Sequence, residues 1–173
     1  MTIAVRVLDA QAATDALPGL AALLADAVNT GASLGFWAPL RPSRALAYWH
    51  DVRAEVEGGS VLLLVAEDAG GVAGSVQLEL CGKDNGAHRA EVRKLMVHSS
   101  RRRTGVGRAL MQVAEDESKA RNRTLLVLDT RTGDDSESFY RALGYSPAGS
   151  IPGFVREADG TSSPTTYYYR HLA

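Results

Sequence analysis

Residues 98–108 read His98-Ser99-Ser100-Arg101-Arg102-Arg103-Thr104-Gly105-Val106-Gly107-Arg108, preceded by an apolar strand-like run and followed by an amphipathic helical pattern. Glycines at 105 and 107 let backbone N–H groups turn inward where a helix begins and its dipole is positive, and the neighbouring arginines add formal charge. This is the chemistry of a pyrophosphate cradle. A solvated charge run would use the same arginines, but it has no need of glycines and a helix start directly after them. A dinucleotide fingerprint would need a third glycine three residues beyond Gly107, and a P-loop a Gly-Lys-Ser/Thr ending; neither is present.

The elements around this loop follow from periodicity. Alternation over residues 3–7 predicts an opening strand, and apolar spacing predicts helices over 17–28 and 42–56. Between them, residues 31–39 join glycines to Phe36 and Trp37, a composition that suits either closing over a ligand or plugging a core. Residues 61–67 and 72–80 form a predicted hairpin around Asp68-Ala69-Gly70-Gly71, the second strand having one buried and one wet face. In residues 90–97 the apolar phase slips from Ala90 and Val92 to Leu95 and Val97, which predicts a bulge. From Val106, one helical face carries Ala109, Leu110, Val113 and Ala114, with Gln112, Glu115, Asp116 and Lys119 opposite. An apolar strand over 124–128 ends at Asp129, and a short helix is predicted over 134–143. Tyr145 then opens a further sheet segment, residues 149–164 read as a long loop, and 165–170 as a final strand.

Arg102-x-x-Gly105-x-Gly107 after a strand resembles the signature of the GNAT acetyltransferases, and Phe139-Tyr140-Arg141-Ala142-Leu143-Gly144-Tyr145 resembles their last helix and strand. A closer resemblance, to the tabtoxin-resistance acetyltransferases, covers nearly the whole chain. It is carried by residues 31–36, 89–97, 128–130, Phe139-Tyr140, Pro152-Gly153-Phe154 and Asp159-Gly160. The resemblance implies an α/β (α+β) GNAT fold, with a mixed, mostly antiparallel sheet of six to seven strands flanked by about four helices. It implies acetyl-coenzyme A as cosubstrate, with no metal. The cofactor would be held by Leu95, Met96, Val97, Arg102, Arg103, Thr104, Gly105, Val106, Gly107, Arg108 and Ser138.

The chemistry so implied is direct attack of an amine on a thioester, with one group to take the amine proton and one to give a proton to the leaving sulfur. Glu91 is the first choice of base, Asp129 the second, and Tyr140 matches the family's acid. A solvent-facing strand glutamate and a core tyrosine are the plainer readings of Glu91 and Tyr140. Phe36, Trp37, Asp129 and Phe154 would frame a compact amine; ordinary packing is the alternative. Two positions depart from common GNAT patterns: Ser99 stands where proline is frequent, and Gly133 where asparagine often touches the cofactor.

Composition narrows the partners. A chain of 173 residues, 45% hydrophobic and 23% charged, predicts one domain spanning 1–173. A net charge of −1 provides no general field for nucleic acid or anionic membranes. Cys81 is alone, which fits a reducing compartment, and reads as a buried small hydrophobe. The first residues lack a signal-peptide layout and the apolar runs are too short to span a bilayer, so a cytoplasmic location is expected. The expected partner is a small-molecule amine, with a homodimer formed through an exposed strand of the C-terminal run. Polyamine, aminoglycoside or protein N-terminal acceptors share the same cofactor half, and a coenzyme A sensor or an arginine-based nucleic-acid module are the non-enzymatic readings.

Overall fold

Asp9 opens the first helix: its carboxylate accepts the Ala12 N–H at 2.8 Å, filling a donor that has no partner within the helix. In the computed structural model, which describes residues 3–173, helix α1 (Ala10–Asn29) therefore starts well before the period that begins at Leu17, and it runs through Pro18. Pro42 starts α2 (Pro42–Glu57) in the first turn, where its missing N–H costs nothing. The two helices bury Leu20, Leu23, Leu24, Trp49 and Val52 against one face of the sheet. Each such side chain contributes about 1.5–3 kcal/mol by leaving water.

The sheet has seven strands in the order β1-β2-β3-β4-β5-β7-β6. They are β1 (Ala4–Leu8), β2 (Val61–Asp68), β3 (Gly71–Leu80), β4 (Arg89–Val97), β5 (Leu125–Arg131), β6 (Ser146–Arg156) and β7 (Ser162–His171). Only β4 and β5 run parallel, joined by helix α3 (Val106–Ala120); α4 (Asp135–Ala142) connects β5 to β6. This is the GNAT architecture implied by the resemblance. α3 lies on the face opposite α1 and α2, burying Val106, Leu110, Met111 and Ala114. It approaches closely because Gly74 on β3 has no side chain: a Cβ there would stand 2.8 Å from the Met96 carbonyl oxygen and 3.0 Å from Val106.

Several local expectations are corrected. Ser75 and Gln77 of β3 are fully buried, because α1 and α2 cover the face that alternation marked as wet; the Gln77 amide donates to the Tyr48 hydroxyl at 2.8 Å. Glu115 on α3 is likewise buried, paired with Arg170 of β7 at 2.6 Å. Residues 149–164 are mostly strand, forming a β6–β7 hairpin with a short turn. Pro147 and Pro152 are tolerated because β6 is an edge strand, and its register shifts twice, between Pro147 and Gly149 and between Ile151 and Val155. The C-terminal strand β7 lies inside the sheet between β5 and β6, so the edge strands are β1 and β6. Cys81 is half-buried. Among the described residues no helix is long and apolar enough to cross a membrane, and no cluster of three or more His, Cys, Asp or Glu side chains could hold a metal.

Candidate active site

The site begins where one parallel strand pair ends. β4 and β5 are in register only from Arg89 with Leu125 to Glu91 with Val127. Beyond that point β5 continues against β7, and the β4 edge from Val92 to Val97 faces an opening. On its other side β4 bulges: Ser75 pairs with Met96 and Gln77 with Arg93, so β4 carries one residue more than β3 across this step. Lys94 takes a left-handed backbone there, with φ of 53°. The bulge puts Ala90, Val92, Leu95 and Val97 against the α3 side and Met96 against the α1 side, as the phase slip predicts.

A free strand edge and an uncapped helix start together fit coenzyme A. The β4 edge offers main-chain donors and acceptors to an amide-bearing pantetheine arm, in the manner of an added strand. At the end of β4, Gly105 has φ of 93° and caps α3 with no side-chain hydrogen bond, leaving the first-turn amides of Val106, Gly107 and Arg108 available to an anion. No atom lies within 4 Å of where a Gly105 Cβ would be, and a Gly107 Cβ would meet Phe139 at 3.4 Å. A ligand can therefore approach the backbone closely.

The arginines divide by partner. Arg101 is tied to the buried Asp68 carboxylate at 2.6 Å and is not part of the cradle. Arg102 donates to the Thr30 hydroxyl at 2.6 Å, which holds it beside the C-terminal end of α1. Arg103 and Arg108 are exposed, Arg103 lying 3.8 Å from an equally exposed Asp135. Thr104 donates to the Arg101 carbonyl at 2.6 Å and tightens the turn. Ser138 is exposed on α4, its hydroxyl donating to the Asp135 carbonyl. Gly133 is left-handed, with φ of 92°, and gives its N–H to Glu137.

Ser99 has a structural reason not to be proline. Its N–H and hydroxyl both donate to Asp26 of α1, each at 2.7 Å, so α1 grips the start of the loop. Burial pushes the Asp26 carboxyl up, but these two bonds, with His98 and Arg102 nearby, outweigh it and hold the group below its usual range. Ser99→Pro removes both donors and is expected to destabilise the protein by about 1–3 kcal/mol. A thermal melt should fall by several degrees. Because a depressed carboxyl stabilises fully at neutral pH and loses its contribution as pH falls through the folded-state value, the deficit should shrink in acid.

On the α1 side of the opening stand the two candidate carboxylates. Glu91 is half-buried and lines a cavity of about 370 Å³ together with Glu79, Cys81 and Val127, which gives it a path to water. Burial raises its carboxyl above the usual value, the Glu79 and Asp129 charges add to the rise, and Arg93 opposes it. Asp129 is exposed at the lip of β5, its Oδ2 accepting from the buried Thr165 hydroxyl at 2.7 Å. Tyr140 lies on the α4 side, buried among Phe139, Tyr145 and Tyr168. Burial, with the Asp129 charge, pushes its hydroxyl far above the usual value, so it keeps its proton.

Of the expected acceptor residues, Phe36 packs mainly on the core, edge to face with Tyr48 at 5.4 Å and under Arg44. Trp37 is exposed and donates from its indole nitrogen to the Arg156 carbonyl at 2.9 Å, tying the loop before α2 to β6. Arg131 makes a second tie, reaching Asp134, Glu157 and the Gly31 carbonyl. Phe154 is exposed on β6 and meets Tyr167 edge to face at 6.1 Å. Tyr167 and Lys94 escape a motif-based reading. Tyr167 is the exposed β7 partner of Asp129; partial desolvation first, then the Asp129 and Glu91 charges, raise the proton affinity of its hydroxyl.

A sheet opened between parallel strands, a bulged strand on one lip and a glycine-capped helix below it define an acyl-coenzyme A transferase. The family described as Acetyltransferase (GNAT) domain matches residues 59–147, and the chain belongs to it. It is an acetyl-coenzyme A-dependent N-acetyltransferase. Solved structures share the fold over their full length. An N-acetyltransferase from Staphylococcus aureus Mu50 superposes with a TM-score of 0.81 at 16% identity, covering 100% of both chains. The ribosomal-protein-alanine N-acetyltransferase from Brucella melitensis gives 0.80 at 22% identity, covering 98% of this chain and 99% of the other. The yncA structure from Salmonella typhimurium, with its cofactor acetyl-CoA, gives 0.78 at 18% identity, covering 100% of this chain and 95% of the other.

Proposed function

We propose that this acetyltransferase modifies the amine of a compact, amino-acid-like molecule, the acceptor class of the tabtoxin-resistance enzymes. The observation that carries the reading is the position of Asp129, exposed just beyond the point where β4 and β5 part after Glu91 and Val127, with its carboxylate held by the Thr165 hydroxyl at 2.7 Å. An ammonium entering there meets two carboxylates. The ties from Trp37 to Arg156 and from Arg131 to Gly31 join the segment between α1 and α2 to β6 and to β5, which supports a short acceptor over a peptide lying along the sheet.

When bound, acetyl-coenzyme A supplies a thioester-activated acetyl group. The residues proposed to hold it are the β4 backbone at Leu95, Met96 and Val97, the Arg102–Arg108 loop and Ser138. Glu91 takes the ammonium proton, directly or through water in its cavity, and its raised proton affinity suits a base working near neutral pH. Asp129 orients the ammonium. Tyr140 holds a proton for the departing sulfur, and its buried ring keeps water from that end of the site.

An amine panel with free-thiol detection tests the proposal: amino acids, polyamines, aminoglycosides and peptide N-termini, each with acetyl-coenzyme A. Turnover of compact amino acids above the other classes is the expected result. Preference for a peptide or a polyamine would overturn the acceptor class.

A further inference from the structure

Lys94 occupies a costly position that the proposed acetyl transfer leaves unused. It is the bulge residue of β4, in a left-handed backbone conformation that glycine would adopt without strain. Its ammonium is part-buried against the loop before α2, donating to the Leu34 carbonyl at 2.7 Å, and a Cβ on Gly35 would lie 3.3 Å from Nζ. An ammonium has three donors, and this is the one protein hydrogen bond it makes among the described residues.

Two neighbouring cations are already engaged in ion pairs. Arg93 bridges Glu79 at 2.7 Å and Glu55 at 3.1 Å, and Arg131 bridges Asp134 and Glu157. Lys94 and Asp129 are close enough for their charges to interact, yet they form no ion pair. Burial, then Arg93, lowers the proton affinity of Lys94, while Asp129 supports its charge. The site thus presents carboxylates at Glu91 and Asp129 and, across the splay on the β4 lip, Lys94 as a cation with open donors.

Resting on the proposed reading of the site, we infer that Lys94 is the specificity-determining residue for a zwitterionic acceptor, binding its carboxylate while Asp129 and Glu91 receive its ammonium. The substrate class is then an amino acid with a free carboxylate. Diamines and amino-acid amides present only half of the required charge pattern, and they leave the part-buried ammonium without its partner.

The test uses the full chain and acetyl-coenzyme A, with L-lysine, L-ornithine and L-2,4-diaminobutyrate each assayed against its carboxamide. Wild type should prefer the free acid by about 10- to 100-fold in kcat/KM, the range of a hydrogen bond to a charged group. Lys94→Met should erase that preference through the free acid, with roughly unchanged rates on the carboxamides and unchanged acetyl-coenzyme A binding. Lys94→Arg should keep most of it.

An equal loss on acids and amides would assign Lys94 to holding the Leu34 loop and overturn the inference. So would a preference that persists in Lys94→Met. If Lys94→Met does not fold, the wild-type preference and its retention in Lys94→Arg decide the matter. A wild type that binds acetyl-coenzyme A but favours the amides overturns this inference alone, whereas failure to bind acetyl-coenzyme A overturns the reading of the site as well.

Discussion

Glu91→Gln is expected to lower kcat for amine acetylation by about 10²- to 10⁴-fold, the usual worth of a positioned general base, while acetyl-coenzyme A binding is retained. The pH profile makes the prediction specific. Burial raises the Glu91 carboxyl, and Glu79 and Asp129 raise it further. The wild-type kcat/KM should therefore climb with pH through an acid limb above the ordinary carboxylate value of about 4.3. Glutamine cannot titrate, so the variant loses that limb and the ratio of the two enzymes grows as pH rises through it. A limb that survives in Glu91→Gln but disappears in Asp129→Asn would move the base to β5.

The same shift has a sign for stability. A carboxyl whose folded value lies above its unfolded value binds more protons when native, so stability falls as pH rises from the ordinary range through the folded value. At neutral pH the ionised Glu91 opposes folding. Glu91→Gln should then melt slightly higher than wild type while turning over far more slowly, the opposite pairing to that of a merely structural residue. Thermal melts at neutral pH beside initial rates check both halves.

How far the site was legible from sequence follows from the range of the interactions. The bulge could be read because it displaces a local pattern, from Ala90 and Val92 to Leu95 and Val97, and the structure shows the register shift there. The α3 start could be read because Gly105 and Gly107 precede a strongly periodic helix. β6 could not: Pro147, Gly149, Pro152 and Gly153 look like loop chemistry, and only an edge position, a property of the assembled sheet, makes them acceptable in a strand. Asp26 grips Ser99 across 73 residues, and nothing near either position marks the pair. Tyr167 had a signal in its alternation with the buried Tyr168, but which tyrosine faces Asp129 depends on the β5–β7 register.

Glu115→Ala is expected to be the most destabilising single change at a polar position, about 3–5 kcal/mol. Periodicity assigns Glu115 to the wet side of α3, yet it is 5% exposed. There it accepts from Arg170 at 2.6 Å and lies 3.4 Å from the Tyr145 hydroxyl. Burial pushes its carboxyl up, and Arg170 and Tyr145 counteract this without cancelling it. Removing the carboxylate takes one of two acceptors from a half-buried guanidinium and the acceptor from a buried phenol, and it opens a cavity beneath α3.

The loss should reach the chemistry. Arg170 also donates to the Leu143 carbonyl at 2.6 Å, at the end of α4, the helix that carries Tyr140. Tyr145, which stacks edge to face on Tyr140 at 5.8 Å, loses its anchor at the same time. Glu115→Ala should therefore lower the melting temperature by roughly 10 °C and reduce kcat more than it raises KM for the amine. A paired replacement, Glu115→Met with Arg170→Met, separates the contributions: a buried ion pair exchanged for apolar side chains of similar volume is often close to neutral in stability. The double variant should recover most of the melting temperature but not the turnover, since replacing Arg170 removes its bond to the Leu143 carbonyl. Recovery of both would mean that the ion pair supports the core and has no part in setting Tyr140.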